Sequence, residues 1–469
     1  MRLLLFLPLT IACTQAEDGA GAAAPADGSS DDSGEVAEAD PVVPWGLSLA
    51  EDHDPDPTVV EVHLTADEGE VEWVSGRQTE VWTYNDLVPG PLIQLTVGDT
   101  LRVVFDNQLD EASTIHWHGL RIDDEMDGVP AIQDPVQPGE TFTYEFVVPD
   151  SGTFWYHPHV RANEQIEHGL QGMLVVREAD EPVAAERVEE RAFVVDDVSL
   201  SSSGSYGSFN TNHMEQMHGR LGNILLVNGE NRVLDGTMRP GVPERWRIVN
   251  TANARMMSVE VEGAAWRVIA IDGALLPTPL ELDRSRMPVG RRVDLEVLPQ
   301  AGDTDVSLKI LTGGERYPLF TASVEGEVGA GDWAVWPAQP LPEIRDTTQT
   351  VTLDLNGENT ETGLEWTING AVWGDHEPMM IDANTPTRIE VTDLSGAEHP
   401  FHLHGQFFQV ISRNGRTDEW DGGLLDTVLV GGDDELVLYT EFDNPGRWMA
   451  HCHILEHAEL GMMTQMVVE

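Results

Sequence analysis

Short runs of alternating or half-buried apolar residues recur along this chain, and a turn signal stops each after a few residues. That punctuation favours strands joined by tight turns over long helices. A first series runs through Thr58–Leu64, Leu92–Val97, Leu101–Phe105 and Thr141–Val148, broken by VPGP at 88–91, VGD at 97–99 and QPGE at 137–140. A second comprises Arg191–Val195, Ile224–Val227, Arg245–Val249, Ser258–Val261 and Arg292–Val297, and closes on a Pro- and Trp-bearing connector at about 332–345. The third covers Thr350–Leu355, Thr387–Thr392, Phe407–Ile411, Leu436–Thr440 and Met463–Val468. With 44 Gly and 28 Pro to supply the turns, the reading is all-β: three tandem antiparallel β-sandwich domains at 42–180, 181–345 and 346–469. QPGE near 137 and NPG at 444–446 precede FWYHPH and WMAHCH in similar places, so the first and third domains read as copies of one unit.

Ahead of these domains, Arg2 and the apolar run Leu3–Leu9 read as an export signal over residues 1–16. Cys13, in LTIAC, is a candidate lipid anchor; cleavage after TQA is the rival reading. Residues 17–41 are Gly, Ala, Ser, Asp and Glu without an aromatic, which predicts a disordered acidic tether. The expected location is periplasmic, outer-membrane-anchored or extracellular, and the expected state is a monomer. A net charge of -56 repels nucleic acid and anionic lipid, which excludes both as partners; high salt would screen the self-repulsion.

Ten of the 16 histidines fall in four motifs: HWH at 116–118, HPH at 157–159, HPFHLH at 399–404 and HCHILEH at 451–457. In HxH on a strand both imidazoles face one side, where they can grip one metal or two neighbours, with Trp117 or Pro158 on the other. Cys452, His457 and Met462 are spaced five and five. With one more histidine they compose the two-histidine, one-thiolate, weak-methionine set of an electron-transfer copper. Zinc gains nothing from the methionine and has no use for ten histidines.

These motifs resemble the multicopper oxidases, the family of laccases, cuprous oxidase and bilirubin oxidase, and the resemblance spans roughly 45–469. HGL at 118–120, DGVP at 127–130, GTFWYHPH at 152–159 and NGE at 228–230 agree with it. It implies cupredoxin-like Greek-key sandwiches and four copper ions, one in the third domain and three between the first and third. By resemblance, His399, Cys452, His457 and Met462 hold the type 1 ion, and His116 and His402 the type 2 ion. His118, His157 and His453 then hold one type 3 ion, and His159, His404 and His451 the other. A reductant is expected at an exposed edge of His457 or His399. Electrons then pass through Cys452 and its neighbours His451 and His453, and dioxygen becomes water. Asp127 matches an acid beside the type 2 position; a solvated turn residue is its plainer reading. Bacterial relatives often carry an acid directly after the last type 1 histidine, where this chain has Ala458, with Glu459 next as the alternative proton carrier.

The electron donor divides the readings. A phenol or aromatic amine is the first, making the chain laccase-like. A reduced metal ion, Cu(I) or Fe(II), is the second, for which HMEQMH at 213–218 offers soft ligands at i, i+4 spacing if helical. A copper carrier without turnover is the third, but it would not need paired HxH motifs in two domains.

Overall fold

The computed structural model describes residues 46–179, 188–209, 212–337, 339–361, 363–418 and 421–469. The export signal, the acidic tether, Cys13 and the 180/181 boundary lie outside them. Among the described residues every predicted strand overlaps an observed one, and the helices are single short turns: α1 (Ala162–Gln165), α2 (His213–His218) and α3 (Leu455–Glu459). None is long and apolar enough to cross a membrane.

The strands form six sheets that pack as three sandwiches, and these are mixed rather than wholly antiparallel as expected, because each holds a parallel pair. In the first, Arg77–Tyr84 pairs with Val59–Val74, which runs parallel to Thr100–Asn107, itself antiparallel to Thr141–Val147. The same order recurs as Ile224–Val227, Glu189–Val198, Glu244–Asn250 and Arg292–Leu298 in the second sandwich. It recurs again as Leu364–Ile368, Gln349–Asn359, Thr387–Asp393 and Glu435–Thr440 in the third. Thr100–Asn107 and Thr387–Asp393 alternate buried and half-buried side chains, as strands with one face on a core must.

The histidine-bearing sheets differ. Gly152–His157 lies between Gly172–Arg177 and His116–His118, and Gly446–Cys452 lies between Met463–Val468 and His399–Leu403. The four histidine-bearing strands are buried on both faces over nearly all their length. One face meets its own core: Trp117 packs on Tyr144, Phe146 and Tyr156. The other carries the histidines. The first and third sandwiches repeat this arrangement, with His116 opposite His157 and His402 opposite His451.

The second sandwich is keyed to the first by charge. Arg245, Arg247 and Arg292 are fully buried, and Asp294 accepts from Arg245, Arg247 and the Thr153 hydroxyl. Glu178 and Glu190 complete the set on Arg245 and Arg247. Removing one partner from such a buried network costs about 3–5 kcal/mol, because an uncompensated charge stays behind.

Candidate metal centres

Eight histidines from the two repeated sheets meet at one place. His118 stacks on His402 with ring centroids 3.7 Å apart, and His116 stacks on His404 at 3.9 Å. His159, His404 and His451 offer nitrogens within 4.8 Å of one another, as do His116, His402 and His404, and His116, His118 and His157. His453 joins through ring contacts with His118 at 5.0 Å and His157 at 5.5 Å. The expected trio of His159, His404 and His451 is thus brought together directly, while His116 is shared between the other two groups.

The tautomers follow from the partners. A carbonyl oxygen only accepts, so Nδ1 carries the hydrogen in His116, His157, His402 and His451, which donate to the carbonyls of Asp127, Pro158, Asp426 and Cys452. His404 donates Nδ1–H to the Asp127 carboxylate at 2.8 Å. Their Nε2 lone pairs are left pointing inward: those of His116, His157, His402 and also His159 have no protein partner, and those of His404 and His451 face each other at 3.0 Å. His118 is inverted. Its Nε2 is turned to the Thr427 hydroxyl at 3.3 Å and Asp426 at 3.4 Å, and its buried Nδ1 is the unpartnered atom. Burial holds His118, His157, His159, His404 and His453 well below the usual histidine pKa and takes His451 down to about 3. Neutral rings aiming lone pairs at one another repel, and a cation among them turns that repulsion into binding.

Asp127 is no turn residue in water. It is fully buried, and its two oxygens lie 3.2 Å from His116 Nδ1 and 2.8 Å from His404 Nδ1, with burial raising its pKa against the pull of His116. The DGVP motif has a steric reason: Gly128 has φ +78°, and a Cβ there would sit 1.9 Å from the Ile115 carbonyl oxygen. Asp426 and Thr427 were not singled out from the sequence, although an Asp–Thr pair inside the apolar run LLDTVLV carries the mark of a buried polar pair.

The second centre lies on the other side of Cys452. Cys452 Sγ is 3.5 Å from His399 Nδ1 and 3.7 Å from His457 Nδ1, and the two nitrogens are 3.3 Å apart. All three residues are buried, as is Met462, whose carbonyl accepts the Cys452 N–H. The outward nitrogens are engaged: His399 Nε2 meets Ser395 Oγ at 2.8 Å, and His457 Nε2 donates to the Met217 carbonyl at 3.2 Å. Trp366 stacks on His457 at 3.9 Å and donates Nε1–H to the Gln216 carbonyl. The expectation of an exposed ring edge is therefore overturned. Both rings are 0% exposed, because α2 is hydrogen-bonded as a roof over His457 and the Asp393–Ser395 turn covers His399. Outside that roof His213, Met214, Met217 and His218 are exposed.

A cavity of about 260 Å³ leads toward the histidine cluster, reaching His157, His159 and His451 between Val129–Ala131, Leu455, Ala458 and Met463. Glu459 stands exposed beside it with Oε1 on the Ala162 N–H. Glu456 faces away, onto the Arg220 N–H and Asn253.

A thiolate with two imidazoles, and unpartnered imidazole nitrogens at the neighbouring cluster, is a donor set suited to copper. Such a fold and site define a copper-dependent oxidoreductase. The family comparisons agree: models described as "Multicopper oxidase" match residues 65–181, 204–305 and 344–469. A multi-copper oxidase structure from Pseudomonas thermotolerans is 32% identical, covering 88% of this chain and 99% of that one, with TM-score 0.77. A Campylobacter jejuni multicopper oxidase described as a metallo-oxidase is 26% identical, covering 90% and 94%, with TM-score 0.79. Multicopper oxidase MmcO of Mycobacterium tuberculosis (strain ATCC 25618 / H37Rv) is 28% identical over 449 residues, 84% of each chain. The chain belongs to the multicopper oxidase family, and its chemistry is copper-dependent oxidation of a small reducing substrate with dioxygen as acceptor.

Proposed function

We propose that the electron donor is a reduced metal ion that meets the protein at α2. One observation carries this reading: His457 Nε2 is bonded to the Met217 carbonyl, so a donor reaches the buried Cys–His set through the α2 backbone rather than against an imidazole edge. The exposed thioethers and imidazoles of Met214, Met217, His213 and His218 suit a soft cation such as Cu(I). A net charge of -56 steers cations inward. A phenol or aromatic amine, the first expectation from the sequence, is the second reading, and it too would dock on α2.

The residues we assign are His399, Cys452, His457 and Met462 to one ion; His116 and His402 to another; and His118, His157, His453 and His159, His404, His451 to a pair. Bound there, four copper ions would supply one-electron oxidation of the donor at the first position and reduction of dioxygen to two waters at the other three, consuming four electrons and four protons. The chain's own part is positional. Cys452 is covalently continuous with His451 and His453, so the two centres are a residue apart along the backbone. Asp127 keeps His116 and His404 in the tautomer that presents Nε2. Glu459, at the cavity rim, is our candidate to hold a proton on its way inward, in place of an acid at Ala458. We further assign domain boundaries at 42–180, 181–345 and 346–469 and an exported monomer, with a lipid anchor at Cys13 and cleavage after Ala16 as the two rival forms of its mature N-terminus.

Oxygen consumption with Cu(I) and with a phenol, in the parent and in a His213/Met214/Met217/His218 substitution set, separates the donors. Loss of Cu(I) turnover with phenol turnover retained is expected. Undiminished Cu(I) turnover sinks the metal-ion reading. Copper content and the visible and near-ultraviolet bands test the ligand assignments, and the mass of the mature N-terminus tests Cys13.

A further inference from the structure

The second sandwich contributes none of the ten motif histidines, yet it reaches the cluster. Gly290 presses so closely on it that a Cβ would lie 3.0–3.2 Å from the rings of His453 and His118. Two residues on, Arg292 is fully buried and points between the other two sandwiches. Its guanidinium grips both oxygens of Asp426, with Nη1 at 2.7 Å from Oδ1, while Nε donates to the Thr153 carbonyl. Asp272 steadies the assembly: it accepts the backbone N–H groups of both Arg292 and Thr427. Asp426 Oδ1, fixed in this way, accepts the Thr427 hydroxyl hydrogen at 2.8 Å. The hydroxyl oxygen then has only lone pairs to offer His118 Nε2, 3.3 Å away, so that nitrogen must carry the hydrogen.

We infer that Arg292 is a positioning residue: through Asp426 and Thr427 it holds His118 in the Nε2–H tautomer, with Nδ1 toward the cluster. The relay explains why His118 is inverted relative to His116, His157, His402, His404 and His451. Without the bidentate clamp the carboxylate can rotate, the hydroxyl hydrogen is free to turn toward His118, and the ring can take the other tautomer. The inference rests on His118 being a cluster ligand and is independent of the donor's identity.

The test uses nitrogen-15-labelled histidine in the full-length, metal-free protein, with the His118 ring signals found by their loss in His118→Gln. We expect a single Nε2–H tautomer in the parent, a mixed or Nδ1–H state in Arg292→Met and Thr427→Val, and restoration in Thr427→Ser. Thr427→Val keeps the side-chain shape and stands in if Arg292→Met does not fold. In copper-loaded protein, the near-ultraviolet band and kcat should fall together, kcat by about 10- to 100-fold, with the donor KM and the visible thiolate band unchanged. An Nδ1–H tautomer in the parent, or an unaltered Nε2–H tautomer in a folded Thr427→Val, overturns the relay whatever the activity shows.

Discussion

At the scale of single residues, the chemistry depends on which nitrogen of each imidazole carries hydrogen, and Asp127 decides that for His404 through its carboxylate and for His116 through its backbone carbonyl. Asn at this position keeps one acceptor but turns an amide donor toward the other ring N–H. Asp127→Asn should therefore lower kcat by about 10- to 100-fold, and on the docking at α2 proposed above the donor KM should stay unchanged. Steady-state kinetics with copper counting checks this, and a change confined to KM would contradict it. The metal-ligand motifs were legible because metal-binding residue types at short spacing are rare by chance, and Asp127 through the family resemblance of its DGVP motif. Asp426, Thr427, Arg292 and Trp366 were not: each acts through a residue far away in sequence, so no local spacing reports it.

At the scale of elements, two short helices govern access. Trp366 anchors α2 by its ring on His457 and by its Nε1–H on the Gln216 carbonyl. Trp366→Phe leaves a smaller aromatic ring against His457 and loses the hydrogen bond, which alone is worth about 1 kcal/mol. Hydrogen exchange at the α2 amides should quicken accordingly, and the donor KM should move more than kcat. On α3, Ala458 lines the cavity that reaches His157, His159 and His451. Ala458→Phe should fill it, slowing reoxidation of the reduced enzyme by dioxygen while leaving anaerobic reduction by the donor at its parent rate. Stopped-flow measurement of the two halves separates them; slowing of both alike would mean that the substitution disturbs His457. The sequence offered residues 213–218 as one ligand face only if helical; the structure makes them α2, and packing places that helix over His457.

At the scale of the whole molecule, charge sets the response to solution conditions. Burial alone would raise Glu190, but Arg247, Arg245 and Arg177 outweigh it and hold the carboxylate well below its ordinary 4.5. A depressed acid stabilises the fold fully above its unfolded pKa, and that contribution fades as pH falls through the folded value. Glu190→Gln should therefore cost about 3–5 kcal/mol at neutral pH. The gap from the parent should close on acidification below about 4.5, as read from urea midpoints along a pH series. The 82 acidic residues against 26 basic ones leave strong self-repulsion. Raising salt from about 0.01 M to about 1 M shortens the screening length from about 30 Å to about 3 Å. The melting temperature should rise over that range; a steady fall would show that the ion pairs between sandwiches outweigh the surface repulsion.

The sequence by itself determined the all-β construction, the copper donor set and the family, since alternation, turn residues and closely spaced ligands are local properties of a chain. It also held the likeness of the first and third sandwiches, through the matched turns before FWYHPH and WMAHCH. Only the tertiary structure decided how the cluster is held and how it is reached. Arg292 comes to Asp426 from 134 residues away, and α2 comes to His457 from 240 residues away. Contacts across such separations arise from how the sandwiches pack, and no pattern of neighbours along the chain encodes them.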